Sequence, residues 1–131
     1  MQSSFPNIRH MRVFVEMART GSVSTAAELC HLSQPAATQA IASLEANFGT
    51  ALLIRNRQRS TLTACGTLVE RRTRAALKHL RDGAKNALRE AGNKAAHRQT
   101  FELSVTASQL RNLIAIANAG SFTVAARTLG L

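Results

Sequence analysis

Apolar side chains recur at spacings of three and four through residues 8–19: Ile8, Met11, Phe14, Val15 and Ala18 form the stripe of an amphipathic helix. Gly21 breaks the pattern as a helix C-terminus requires, and Ser22 is placed to cap a second, short helix whose apolar positions are Val23, Ala26, Ala27 and Cys30. The adjacent alanines let two helices cross closely, which a helix-turn-helix unit needs. After a turn at His31-Leu32, Ser33 precedes Gln34-Pro35, a cap with proline in the first turn, where its missing N–H costs nothing. The third helix runs to about Phe48 and stops at Gly49, with Ala37, Ile41, Leu44 and Phe48 inward. Gln39, Ser43 and Ala46 take the opposite face, with Gln34 and Thr38 on its flank. That face is short, polar and uncharged apart from Glu45.

Residues 51–54 are apolar, residues 55–59 carry three alternating arginines, and residues 60–62 follow as a second short strand, so a basic turn between two strands makes a wing. A long helix is expected from Thr63 to Glu90 or Ala91, ended by Gly92-Asn93. Along it Val69, Thr73, Ala76, Leu80, Ala84, Ala87 and Ala91 step by three and four, and Leu77 and Leu88 widen the stripe. So narrow a seam on so long a helix calls for a partner helix, most simply from a second copy of the chain. Packing onto its own domain is the alternative. The fold class is thus mainly α: a winged helix-turn-helix (three-helix core plus a small two-stranded wing) at 1–62 and a dimerising linker helix at 63–92. A connector follows at 93–106, in which residues 101–105 have the composition of a strand.

Residues 107–131 repeat residues 8–32 at an offset of 99. Ala107, Leu110, Leu113, Ile114 and Ala117 fall on the first stripe position by position; Gly120-Ser121 falls on Gly21-Ser22, Ala125-Ala126 on Ala26-Ala27, and Leu131 on Leu32. An ordinary pair of alanine-rich helices would show the periodicity, but not the punctuation in the same register. The expectation is a partial second helix-turn-helix, cut short where its recognition helix would begin, in a fragment of a longer protein.

Charge changes the picture by its placement. The net charge of +10 implies an anionic partner, most simply nucleic acid. Residues 1–54 sum to zero, whereas residues 55–98 hold nine Arg and three Lys against Glu70, Asp82 and Glu90, for +9. Cys30 and Cys65 fit no metal or redox spacing and are expected as reduced, mostly buried thiols; His10, His31, His79 and His97 are scattered without ligand spacing. No metal, cofactor or small-molecule effector site is expected. Neither a signal peptide nor an apolar run of membrane length is evident, which gives a cytoplasmic expectation without membrane contact. Paired carboxylate motifs, a nucleophile elbow and phosphate-cradling glycine loops are also missing, so an enzyme is not expected.

The run FVEMARTGSVSTAAELCHLSQPAATQAIASLEANFGTALLIRNRQRSTLTACG resembles the signature of the LysR-type regulators. The resemblance rests on Gly21-Ser22, Ala26-Ala27, Leu32-Ser33-Gln34-Pro35-Ala36, Ile41, Leu44-Glu45, Gly49, Leu52, Arg55, Leu62-Thr63 and Gly66, and covers roughly residues 5–90. It implies a winged helix-turn-helix, a linker helix that pairs subunits, and a C-terminal sensor domain that these residues do not supply. Two departures stand out. The family's basic residues on the recognition helix are replaced by Gln39, Ala42 and Ser43, and the aromatic expected after Leu52 is Leu53.

In this reading the third helix enters the major groove of double-stranded DNA with its N-terminal end at the base edges. Ser33, Gln34, Pro35, Ala36, Thr38, Gln39 and Ser43 form the candidate reading surface, the glutamines suited to adenine and Pro35 or Ala36 to a thymine methyl. Arg55, Arg57 and Arg59 of the wing, with Arg9 and Arg12 on the first helix, are expected at the backbone, fixing position rather than sequence. Val69, Thr73, Ala76, Leu77, Leu80, Ala84 and Leu88 are the expected dimerisation residues. The rival functions are a dimerising interaction module and a non-specific nucleoid-type binder. The +9 segment argues against the first and the uncharged reading face against the second.

Overall fold

The computed structural model describes residues 6–92 and 104–130. Helix α1 spans Ile8–Thr20, α2 Val23–Leu29 and α3 Gln34–Phe48. Each starts on a side-chain oxygen that takes an otherwise unpartnered backbone N–H: Asn7 Oδ1 accepts from Arg9, Ser22 Oγ from Thr25, and Ser33 Oγ from Ala36. Helices α1 and α3 end on left-handed glycines, Gly21 (φ 71°) and Gly49 (φ 66°). The tight turn between α2 and α3 needs the same conformation from a residue that adopts it less readily, His31 at φ 55°. Two-residue strands β1 (Leu53–Ile54) and β2 (Thr61–Leu62) pair antiparallel, Leu53 opposite Leu62 and Ile54 opposite Thr61. Helix α4 then runs over Ala64–Glu90, started by Thr63, whose Oγ1 accepts from Gly66 N–H at 2.9 Å.

The core lies among α1, α2, α3 and β1: Val13, Phe14, Met17, Ala26, Ala27, Ala37, Ala40, Ile41, Leu44, Leu52 and Leu53. The two alanine pairs earn their place by size, because Ala26, Ala27, Ala37 and Ala40 are all at most 3% exposed where the helices cross. Phe48 does not belong to this core. It is 42% exposed, because the chain returns at Leu52, which is pinned to Glu45 and closes that end of the core a turn earlier. Ala40 stands on the inward face instead.

The linker helix differs from expectation in a second way. Thr73 (2% exposed) and Leu77 (6%) are buried within the chain. Leu77 joins Ile8 and Val105, with Val15, Leu80 and Leu110 packed around them. The stripe of α1 has a second edge, Ile8 and Val15, that the three-helix core leaves bare, and the first half of α4 covers it. Val69 packs against the main core. Thr73 and Leu77 therefore are not available to a partner helix, as a dimer seam would require, whereas Ala76 is exposed and Ala84 and Leu88 are half-buried. Glu70 is also buried, held by Arg74, whose Nε donates to it at 2.8 Å.

Helices α5 (Ala107–Ala119) and α6 (Phe122–Leu129) form a hairpin whose punctuation follows α1–α2 at the same offset of 99. Thr106 caps α5 as Asn7 caps α1, Gly120 is left-handed (φ 64°) as Gly21 is, and Gly130 (φ 72°) repeats the left-handed His31. The burial does not repeat. Phe14 is wholly buried, but its counterpart Leu113 is 57% exposed, and Ile114, Phe122 and Val124 are exposed beside it. Leu131 and residues 101–103 of the expected strand lie outside the described residues, as does most of the connector; Ser104 and Val105 are not in a strand.

Cys30 is half-buried, with burial raising its thiol pKa, but Cys65 is exposed on the first turn of α4, contrary to expectation. His10 Nδ1 is buried without a hydrogen-bond partner, and burial lowers that imidazole's pKa. No helix among the described residues is long and apolar enough to cross a membrane.

Candidate nucleic-acid interface

The expected reading surface is assembled at the start of α3. Gln34, Pro35, Ala36 and Gln39 are exposed along it, and Thr38 and Ser43 are half-buried. Two hydroxyls expected at the bases already have other work. Ser33 Oγ caps the helix, and Thr38 Oγ1 donates to Gln34 O at 3.0 Å, so Thr38 keeps only acceptor capacity for a base. Ser24 on α2 donates to Gln34 Oε1 at 3.1 Å, a link between the two helices that periodicity gives no means of finding.

The wing is fixed to this helix by Glu45. Its Oε1 accepts from Leu52 N–H at 2.8 Å and from Leu53 N–H at 3.2 Å, and its Oε2 lies 4.0 Å from Arg55 Nη2. A single carboxylate thus sets where β1 leaves α3 and where the first wing arginine stands. The sequence marks Glu45 only as the one charge on a neutral face and as part of the Leu44-Glu45 match; its place seven residues before Leu52 was the available signal for a structural role. The other end of the wing is held at the α1–α2 corner, where Ser60 N–H donates to Gly21 O at 3.2 Å and the Arg59 side chain lies against Gly21. A Cβ on Gly21 would stand 2.4 Å from Arg59 Cγ.

Arg55, Arg57 and Arg59 are all exposed, and Thr38, Arg55 and Ser60 border one shallow cleft between α3 and the wing. Wing and reading helix therefore share a face. The α1 arginines are placed differently: Arg12 is half-buried near Cys30, and Arg9 borders a hollow with Asn7, Thr106 and Ser108 at the start of α5. Nothing in that arrangement gathers Arg9 with the wing.

Residues 8–67 match the family described as bacterial regulatory helix-turn-helix proteins, lysR family. The DNA-binding domain in the crystal structure of the CbnR_DBD–DNA complex superposes with a TM-score of 0.60 at 30% identity, over 64% of this chain and 97% of that one. Residues 8–67 form a helix-turn-helix domain of the lysR family. Among LysR-type relatives, the HTH-type transcriptional regulator PcaQ of Agrobacterium fabrum is 39% identical over 83 residues, 63% of this chain and 27% of its own length. The nitrogen assimilation regulatory protein nac of Escherichia coli is 38% identical over 72 residues, 55% of this chain and 24% of its own. The BenM_DBD/catB site 1 DNA complex gives a TM-score of 0.62 at 26% identity, covering 64% and 93%. The chain spans about a quarter of the length of these curated relatives. Both curated relatives are named as regulatory proteins.

Proposed function

We propose that this chain is the DNA-binding part of a cytoplasmic LysR-type transcription regulator, with α3 in the major groove of double-stranded DNA and the wing arginines on the sugar-phosphate backbone. The observation that carries the reading is the cleft bordered by Thr38 of the reading helix and Arg55 and Ser60 of the wing, with Glu45 joining α3 to the wing. Gln34, Pro35, Ala36 and Gln39 read bases; Arg55 and Arg57 supply the charge that positions them. Gln39→Ala is expected to flatten sequence preference while leaving binding to random duplex within about twofold, since an uncharged side chain adds little to phosphate attraction. Arg57→Ala is expected to weaken binding to every duplex and to lower the salt slope by about one. Fluorescence titrations across several salt concentrations measure both. Equal losses on selected and random duplexes for both variants would sink the division of labour.

Pairing of two chains doubles a short readout into two half-sites about one helical turn or a multiple apart. Since Thr73 and Leu77 are spent inside the chain and Leu80 packs beside Leu77, the surface proposed for pairing is the remaining seam of α4, Ala76, Ala84 and Leu88. Sedimentation equilibrium tests it: a monomer at micromolar concentration rejects the pairing. We read the α5–α6 hairpin as a partial second copy of α1–α2, supported by the matched Asn7 and Thr106 caps and the matched left-handed residues, although Ser121 makes no cap bond where Ser22 does.

A further inference from the structure

Gln34 is the first residue of α3, and its backbone is fixed on both sides. Ser33 caps the turn, and Thr38 Oγ1 donates to the Gln34 carbonyl at 3.0 Å. Its side chain, although exposed, is held too. Ser24 lies in the first turn of α2, one residue before Thr25, whose N–H is capped by Ser22, and its Oγ stands 3.1 Å from Gln34 Oε1. A carboxamide oxygen carries lone pairs and no proton, so the hydroxyl is the donor in this bond. The amino end of the same carboxamide, Nε2, has no such tie.

An unrestrained glutamine meets adenine with both ends, its oxygen accepting from N6 and its nitrogen donating to N7. That pairing was the expectation from sequence alone. It requires Oε1 to turn toward the base, and here Oε1 is turned toward α2. We propose that Ser24 is a positioning residue that fixes the Gln34 carboxamide with its donor end outward, so that position 34 selects an acceptor edge in the major groove, guanine O6/N7 or thymine O4, over adenine. The inference rests on the reading above that Gln34 touches bases. It assigns the choice among bases to a residue on the neighbouring helix that itself need touch no DNA.

The test is selection from randomised duplexes with the wild-type chain, Gln34→Ala, Ser24→Ala and Ser24→Thr. Ser24 is exposed and alanine favours helix, so the fold survives the change, and a thermal melt verifies it. The wild type should enrich guanine or thymine at one column of each half-site, a column that Gln34→Ala erases. Ser24→Ala should reduce that preference over adenine by about three- to tenfold, the worth of one neutral hydrogen bond, without changing affinity for unselected duplex or its salt slope. Ser24→Thr, which keeps the hydroxyl, should restore the preference to within about twofold of wild type.

The failures are distinguishable. If Gln34→Ala erases a column that Ser24→Ala leaves intact, the base contact stands and the role of Ser24 is rejected. Adenine enrichment by the wild type at that column rejects the donor-outward orientation. A pattern unchanged in Gln34→Ala, or no enrichment by the wild type at all, removes the base contact itself and the proposal with it.

Discussion

Gly66→Ala should lower the stability of the chain by about 3 kcal/mol, the upper part of the usual range for forcing an extra carbon into a packed site. The backbone there is ordinary helix, so conformational freedom is not the reason. The reason is approach. A Cβ at position 66 would stand 2.0 Å from the carbonyl oxygen of Leu52 and 2.9 Å from its carbonyl carbon. Both are backbone atoms, and that oxygen already accepts from Thr63 N–H at 3.0 Å. Relief requires α4 to back away from β1, which would stretch the Thr63 bond and lift Leu52, a wholly buried core residue, out of position. Gly83 in the same helix is the internal control, because nothing lies within 4 Å of a Cβ there. Gly83→Ala should therefore stabilise by about 0.5–1 kcal/mol. Paired urea melts read both changes, and a Gly66→Ala variant as stable as Gly83→Ala would show that α4 and the wing are not in this contact.

Glu45→Ala carries the second large effect, and simple electrostatics points the wrong way. Removing an acid from a DNA-facing surface raises the net positive charge and on that ground should tighten binding. The structure predicts weaker binding. Without the carboxylate, Leu52 and Leu53 N–H lose their acceptor, and bonds of this charge-assisted kind contribute about 1.5–3 kcal/mol each. Arg55 also loses the carboxylate beside it, and β1 is no longer tied to α3. Loss of about tenfold or more in affinity for a selected duplex is expected, with stability reduced by about 3 kcal/mol or more. Glu45→Gln keeps a neutral oxygen for the same two N–H groups and should fall between wild type and alanine. Tighter binding by Glu45→Ala would mean that the carboxylate acts only as a repelling charge.

How much of this was legible in the sequence follows the range of the interactions concerned. Helices α1 to α3, the Ser22 and Ser33 caps and the helix ends at Gly21 and Gly49 are local, so periodicity and punctuation were enough to place them, whereas the Asn7 cap of α1 was not foreseen. The wing was found because arginines between two apolar stretches have few other uses. Phe48 was misjudged because its stripe position is right and only the return of the chain at Leu52, pinned to Glu45, makes it surplus. Thr73 and Leu77 were assigned to a partner because the linker helix was weighed alone; the bare edge of α1 at Ile8 and Val15 became visible only with α1 already packed on its other side. Ser33 and Thr38 show a related limit within the reading surface. A hydroxyl at the right address still has to be free, and the helix itself had claimed both.

The anchorage of the wing at two places has a consequence for the duplex. One end is tied to α3 through Glu45 and the other to the α1–α2 corner through Gly21, so the two ends of the arginine loop are held in place relative to the helices. Adaptation then falls to the nucleic acid, and sites built on easily deformed pyrimidine–purine steps will bind better than stiff ones carrying the same contacted bases.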